Sequence, residues 1–591
     1  MKKTILGAVF FLLIGLILSG CTSSSSSWNP TPTPSPVAKS WHWINPSPQG
    51  NTLHSVWGSS ASDVFAVGET GSILHYDGSS WRNMESPTDN DLFAVWGSSS
   101  SDVYAAGESG TLLHYDGRQW TPLNSGTTQI LEAIWGSSAT DVFVTGSGGT
   151  ILHYNGTSWQ PMPSGVTDYI YGIWGFSSSN VYAVSNGGDV LNYDGTSWQK
   201  MQSGTTAWLC AIWGSSNNDL FAVGADLTSI QPNIIHFNGA AWSPMLTSQE
   251  GLSGVWGTSP DNVYAVGQNG AILHYDGTSW TSSRAGSVYL YGIWGSSATN
   301  IYAVGENGTI LHFDGTSWSP MSSTYTNYLY NIWGPSGNDL FAVGEFGTIL
   351  HYDGSTVTSM ISGTQSDLVG IWGTSGNDVF AAGGNLITGK DGAILHYNGA
   401  SWLTLLSGYP QCLEAVWGAS STEVFAAGDG GTILRGPSWT KMTTGTSRII
   451  LGLWGTSGND VFAVGTAGTI LHYDGTSWTA MSSGTTDNLR AVRGFSGRDV
   501  FAAGDFGLYH YDGTSWKNTG LIFNVSLTGI WGTSGTDLFL SGAQGATFHY
   551  DGTTLTQLNS HTLYPLYALW GFAGGDVFVV GINGVILRYG P

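Results

Sequence analysis

The sequence predicts an all-β protein of fourteen four-stranded blades, arranged as two seven-bladed β-propellers, with one large ring as the alternative. Three observations carry that prediction. A Trp-Gly pair recurs thirteen times between Trp57 and Trp570, 37 to 45 residues apart across the fourteen units and most often 39, and Arg493 fills the one missing Trp slot. Each unit holds four short runs, which in the second unit read "LFAVWG", "DVYAAG", "TLLHYDG" and "QWTPLNSG". β-Branched and aromatic residues alternate within the runs, and Gly, Ser and Asp-Gly separate them, with no helical period competing. Four strands in about forty residues is the size of a propeller blade. The third observation concerns the ends. The last unit stops after its third run, "GVILRYGP", while "SWHWINPSPQG" near the start resembles an orphan fourth run. An N-terminal strand that completes the last blade closes a ring and removes an exposed edge.

The elements follow in chain order. Residues 1–20 read as a signal peptide: "MKK" supplies positive charge, and the apolar run after it is short for a membrane span. That run ends in "LSGC", which resembles the lipobox of bacterial lipoproteins. The resemblance implies cleavage before Cys21, lipid on Cys21 as the membrane anchor and, with Thr22 rather than Asp next, the outer membrane. Residues 21–40 are the lipidated Cys and a Ser/Thr/Pro tether, which reaches about 60 Å if fully extended. Residues 41–314 are assigned to the first propeller and 315–591 to the second. With the cut near residue 314 each half begins on a fourth strand, at Trp41 or Trp318, and finishes on a third.

The formal net charge is −23, or −25 once Lys2 and Lys3 are removed, and this argues against nucleic acid, which needs a basic footprint. Beyond Cys21 there are only Cys210 and Cys412, from which no disulfide framework can be read.

Most repeated residues read as structural. Of 28 Trp, thirteen stand in Trp-Gly and eleven follow the Asp-Gly turn or its equivalent, so the rings fill the wedges between blades. Eleven of fourteen His occupy the third strand, one per blade. They are too far apart to converge on one metal ion, and a hydrogen bond to the repeated Asp of "SDVF" explains them. One Asp per hairpin does not make a calcium site. No metal site and no cofactor is expected.

The unit resembles bacterial secreted propeller repeats of the BNR/Asp-box-like kind, including the photosystem II assembly-factor type, across residues 41–591. "HYDGTSW" lacks the residue an Asp-box places between Asp and Gly, and the Gly-His and Trp-Asp signature of WD repeats is missing. The resemblance therefore implies a fold rather than an activity.

Variation among the copies points to candidate sites. Three residues before each Trp the chain tolerates His54, Phe93, Glu132, Tyr171, Cys210, Glu414 and Arg490, which places this position on the axial channel. Extra aromatics cluster just before or within the first strand: Tyr169, Tyr171, Trp208, Tyr289, Tyr291, Tyr325, Tyr328 and Tyr330. These are the candidate ligand-binding residues, with an interface between the rings as the competing explanation for repeats seven and eight. Insertions at 225–233 and 384–392 and acids such as Glu69, Glu306 and Glu345 decorate the same face.

Three functions compete. The first is a non-catalytic surface lipoprotein that binds a protein or polysaccharide through propeller loops. The second is a glycoside hydrolase, since two seven-bladed rings resemble xyloglucanase architecture, with Glu132 and Glu414 as the candidate carboxylates across a cleft. The third is an assembly factor for envelope complexes. The stretch "NLRAVRGFSGRDVFAAG" (488–504) holds Arg490, Arg493 and Arg498. It reads as a drifted blade, with Arg490 on the channel and with Arg493 and Arg498 on the rim opposite the decorated loops.

Overall fold

The computed structural model describes residues 39–225, 233–246, 250–322 and 325–590. The signal peptide, Cys21 and the tether lie outside the described residues. The chain is all-β, with fourteen four-stranded antiparallel sheets. The strands of each sheet are named a to d from the ring axis outward.

The second strand shows why the repeat reads as it does. In blade one, Asp63–Gly68 lies between strands a and c within its sheet and between neighbouring sheets on both faces. Val64, Phe65, Ala66 and Val67 are all fully buried, so the run "DVFAVG" is apolar without alternation. The outer strand instead buries one Trp, such as Trp81, and exposes the residues after it.

The Trp-Gly pair links most blades to the next. A Cβ on Gly97 would lie 2.7 Å from the ring of Trp57, one blade earlier, and on Gly136 it would lie 2.6 Å from Trp96. Glycine is required there because the previous indole occupies the space. The same relation runs from Trp294 in blade seven back to Gly58 in blade one, where strand a of blade one (Leu53–Ser60) packs on that of blade seven (Leu290–Ser297). In the second ring Trp570 of blade fourteen donates from Nε1 to Gly334 O of blade eight at 2.8 Å, and the two inner strands pack together. Two closed rings of seven blades result.

Ring closure corrects the expected boundary. Trp318–Pro320 pairs with Ile310–Phe313 and completes blade seven. It does not open the second ring, because the tight Asp314-Gly315 turn joins it to its own third strand. Ser40–Asn45 instead pairs with Ile586–Gly590 as the outer strand of blade fourteen. Trp41, 5% exposed, packs there with Val579 and Leu587. The first ring, Leu53 to Pro320, thus lies in the chain between the two pieces of the second.

Most blades are pinned by a polar cluster at their lower hairpins. In blade three His153 Nε2 donates to Asp141 Oδ1 at 2.7 Å, Ser137 Oγ donates to Asp141 Oδ2 at 2.5 Å, and the imidazole stacks on Phe143 at 4.2 Å. This is the expected His–Asp bond. Substitutions are matched within blades: in blade ten Arg435 meets Glu423 at 3.1 Å, and in blade fourteen Arg588 meets Asp576 at 2.8 Å. In blades six and seven Asn262 and Asn300 replace the Asp and still bond His274 and His312. Burial holds both of these imidazoles below their usual range. At the outer hairpin Asp77 Oδ1 accepts from the backbone N–H of Ser79 and Ser80, both at 2.9 Å, which accounts for the Asp-Gly turns without a metal.

Candidate functional site

Antiparallel succession puts the b–c loops and the blade-to-blade connections at one end of every sheet, the upper face. The two rings touch through upper-face loops. Asn51 Nδ2 donates to His561 O at 2.6 Å, Thr70 Oγ1 donates to the same carbonyl at 3.1 Å, and Asn559 Nδ2 donates to Asp89 Oδ1 at 2.6 Å. Asn583 Nδ2 donates to Asn307 Oδ1 at 2.9 Å. Blades one and seven of the first ring thereby meet blades thirteen and fourteen of the second.

The residue three before each Trp lines the axis, as the variation among copies predicts. In the first ring these residues form a circle at the channel mouth. His54 lies between Phe93 and Tyr291, with ring centroids 5.1 and 5.2 Å away. Tyr291 stacks on Tyr289 at 4.5 Å, and Tyr289 also bonds Ser253 through its hydroxyl at 2.9 Å. This group sits on the side that meets the second ring, whose Tyr564 has its hydroxyl pushed above its usual range by burial and by the nearby Glu69 and Glu306.

A second aromatic group lies across the ring on blades four and five. Tyr169 stacks on Tyr171 at 5.6 Å, and Tyr171 meets Trp208 at 5.2 Å. Trp208 is 40% exposed, the exposed aromatic end of this group. Glu132 on blade three is close enough to act on the Tyr171 hydroxyl, and burial pushes its carboxyl up to about 7. Cys210 on blade five lines the same mouth, with its thiol pushed up to about 12 by burial. It is an unpaired thiol, as is the buried Cys412.

The second ring encloses an axial cavity of about 360 Å³. Tyr330, Val369, Glu414, Leu451, Arg490, Thr528 and Tyr567, one per blade, all line it. Burial and the nearby Asp429 push the Glu414 carboxyl up to about 7. Glu132 and Glu414 therefore stand on the axes of different rings, Glu132 beside Tyr171 and Glu414 in the cavity of the second ring. Tyr325 packs in the core between blades fourteen and eight, and Tyr330 meets Tyr567 at 5.6 Å. Tyr328 is 36% exposed on the upper face.

Arg493 departs from its expected place on the rim. It lines the axial cavity, with its guanidinium over the Trp570 ring at 6.0 Å. The reason is that the Trp-Gly slot faces the axis as well as the next blade. Arg498 stays on the lower hairpin, its side chain beside Gly513.

Much of the upper-face acidity has scaffold work. Glu69, Glu306 and Glu345 accept from the backbone N–H of Thr52, Tyr289 and Tyr328 at 3.1, 3.0 and 3.2 Å. Ser147 and Gln268 do the same in blades three and six. Of the two insertions, residues 226–232 lie outside the described residues. Residues 384–392 lengthen the b–c hairpin of blade nine and leave Ile387 96% exposed. No group of three or more His, Cys, Asp or Glu among the described residues could hold a metal ion.

No known family pattern matches the chain, and no curated protein matches it. Solved structures do share the fold. PorZ of Porphyromonas gingivalis, an essential bacterial surface component of the type-IX secretion system, matches with a TM-score of 0.63 and 12% identity, over 93% of this chain and 86% of its own. The GH74 enzyme of Niastella koreensis matches with a TM-score of 0.59 and 14% identity, over 93% of this chain and 99% of its own. An ancestral GH74 enzyme gives 0.64 at 14% identity, with the same shares of 93% and 99%. The likeness establishes a propeller fold. Identity this low carries no activity across.

Proposed function

We propose that this is a non-catalytic, surface-anchored lipoprotein that binds a protein or polysaccharide through its upper loops, at the mouth of the first ring. The carrying observation is the group Tyr169, Tyr171 and Trp208. It is exposed at Trp208 and lies across the ring from the inter-ring contact, where a partner can approach. Stacked Tyr and Trp serve sugar faces and protein hot spots alike. The lipobox at Cys21 and the tether supply anchor and reach, and the outer membrane is the proposed location. The likeness to PorZ, itself a surface component, supports a surface role.

Hydrolysis is the second reading, and the GH74 likeness favours it. Its candidate carboxylates, Glu132 and Glu414, stand on the axes of different rings, and hydrolysis requires both to reach one glycosidic bond. An envelope assembly role is a special case of protein binding.

Binding of the mature chain to a glycan array and to outer-membrane protein fractions tests the reading. Tyr171→Ala with Trp208→Ala should weaken binding at least tenfold, with the thermal melt retained. Unchanged binding in that double variant moves the site elsewhere.

A further inference from the structure

The axial cavity of the second ring contains a group that the proposed function does not use. Its volume, about 360 Å³, lies in the range of small-molecule sites. The inner strands of all seven blades build its wall, so Trp333, Trp454, Trp531 and Trp570 line it together with Arg493. The slot that is Arg493 here is Trp in the other thirteen blades.

Arg493 is poorly satisfied by the protein. Its Nη2 is 3.5 Å from Gly532 O, at the limit of a hydrogen bond. Its Nε is closed off from solvent and has no acceptor among the described residues. The aromatic contact with Trp570, at 6.0 Å, is at the edge of cation–π range. No ion pair among the described residues includes it, while Arg490, the other cation lining the cavity, is taken by Asp505 at 2.8 Å. Glu414 is the one carboxylate lining the cavity, and its raised protonation leaves part of it neutral near pH 7. A largely desolvated guanidinium without a counter-charge is costly, and an entering anion removes that cost. The planar fork of Arg fits a carboxylate, and a wall of indoles suits an apolar or ring-shaped body.

We propose that the axial cavity of the second ring binds a small organic carboxylate, its anionic group paired with Arg493 and its body held against the Trp wall. This stands apart from the reading of the first-ring mouth.

Calorimetric titration of the full chain with benzoate and with glucuronate, and with benzamide as the neutral isostere of benzoate, tests it. At least one carboxylate should bind one per chain and change the tryptophan fluorescence, and benzamide should bind at least about tenfold more weakly, as for loss of a charged hydrogen bond. Arg493→Met should weaken the bound carboxylate by about tenfold or more, and Arg493→Lys should keep part of the affinity. Arg493→Trp restores the residue of the other blades, so it supplies a folded protein that should not bind. Failure of both carboxylates at millimolar concentration, or equal affinity in Arg493→Met, overturns the proposal.

Discussion

Trp294 of blade seven lies over Gly58 of blade one, so close that a methyl group on Gly58 would come within 2.7 Å of the indole. This contact closes the first ring, and its equivalents run through most neighbouring blades. It explains why Trp and Gly travel together in the sequence: one blade's side chain fills the space the next blade's glycine leaves.

Gly58→Ala should therefore cost about 1–3 kcal/mol, the usual penalty for overpacking. Asp63 O lies equally close to the added methyl, so the strand cannot move away cheaply. Thermal unfolding checks this, and an unchanged melt argues against the packing.

The His–Asp cluster makes a graded prediction. Asp63→Asn in blade one should be tolerated, because blades six and seven already use Asn262 and Asn300 to bond their His. Asp63→Ala removes the acceptor for both His75 and Ser59 and should cost about 1–3 kcal/mol. Denaturant melts of the two variants side by side decide it.

Glu414 sets a pH dependence. Its carboxyl is near 7 in the fold against 4.5 for the free side chain, so between those values the folded state holds a proton that the unfolded chain releases. Its contribution to stability is intact below about pH 4.5, falls as pH rises towards 7, and stays low above that. Glu414→Gln should raise the melting temperature at pH 8 and change it little at pH 4, with a gain of up to roughly 3 kcal/mol for a shift of this size. A gain that is larger at pH 4 would contradict the sign.

Closure of the second ring by the N-terminal strand is tested at Trp41. Trp41→Ala should cost about 3–5 kcal/mol, and limited proteolysis should then cut first within residues 329–590. First cuts within residues 53–320 would instead fit a strand that belongs to the first ring.

The repeat made the blades, the buried second strand and the axial position of Glu132, Tyr171 and Glu414 readable, because each follows from a period repeated many times. Ring closure was half readable. The N-terminal strand at Trp41 was legible as one that could complete the last blade. Yet the boundary near residue 314 gave it to the first ring and put Trp318 at the head of the second, against the pairing of Trp41 with Tyr589 and the hairpin that ties Trp318 to Phe313. Both strands carry the same pattern, and only proximity distinguishes them. Arg493 was misplaced for a related reason: one slot faces both the next blade and the axis, and a sequence period reports the slot but not its second face. The grouping of Tyr171 with Trp208 was also out of reach, since neighbouring blades bring together residues 37 positions apart.

The most direct test of the central claim is turnover on whatever polysaccharide the chain binds. Reducing-end release should stay at the level of a protein-free control while binding persists, and Tyr171→Ala with Trp208→Ala should remove the binding. Release above that control, lost in Glu132→Gln or Glu414→Gln while folding is kept, would contradict a non-catalytic role.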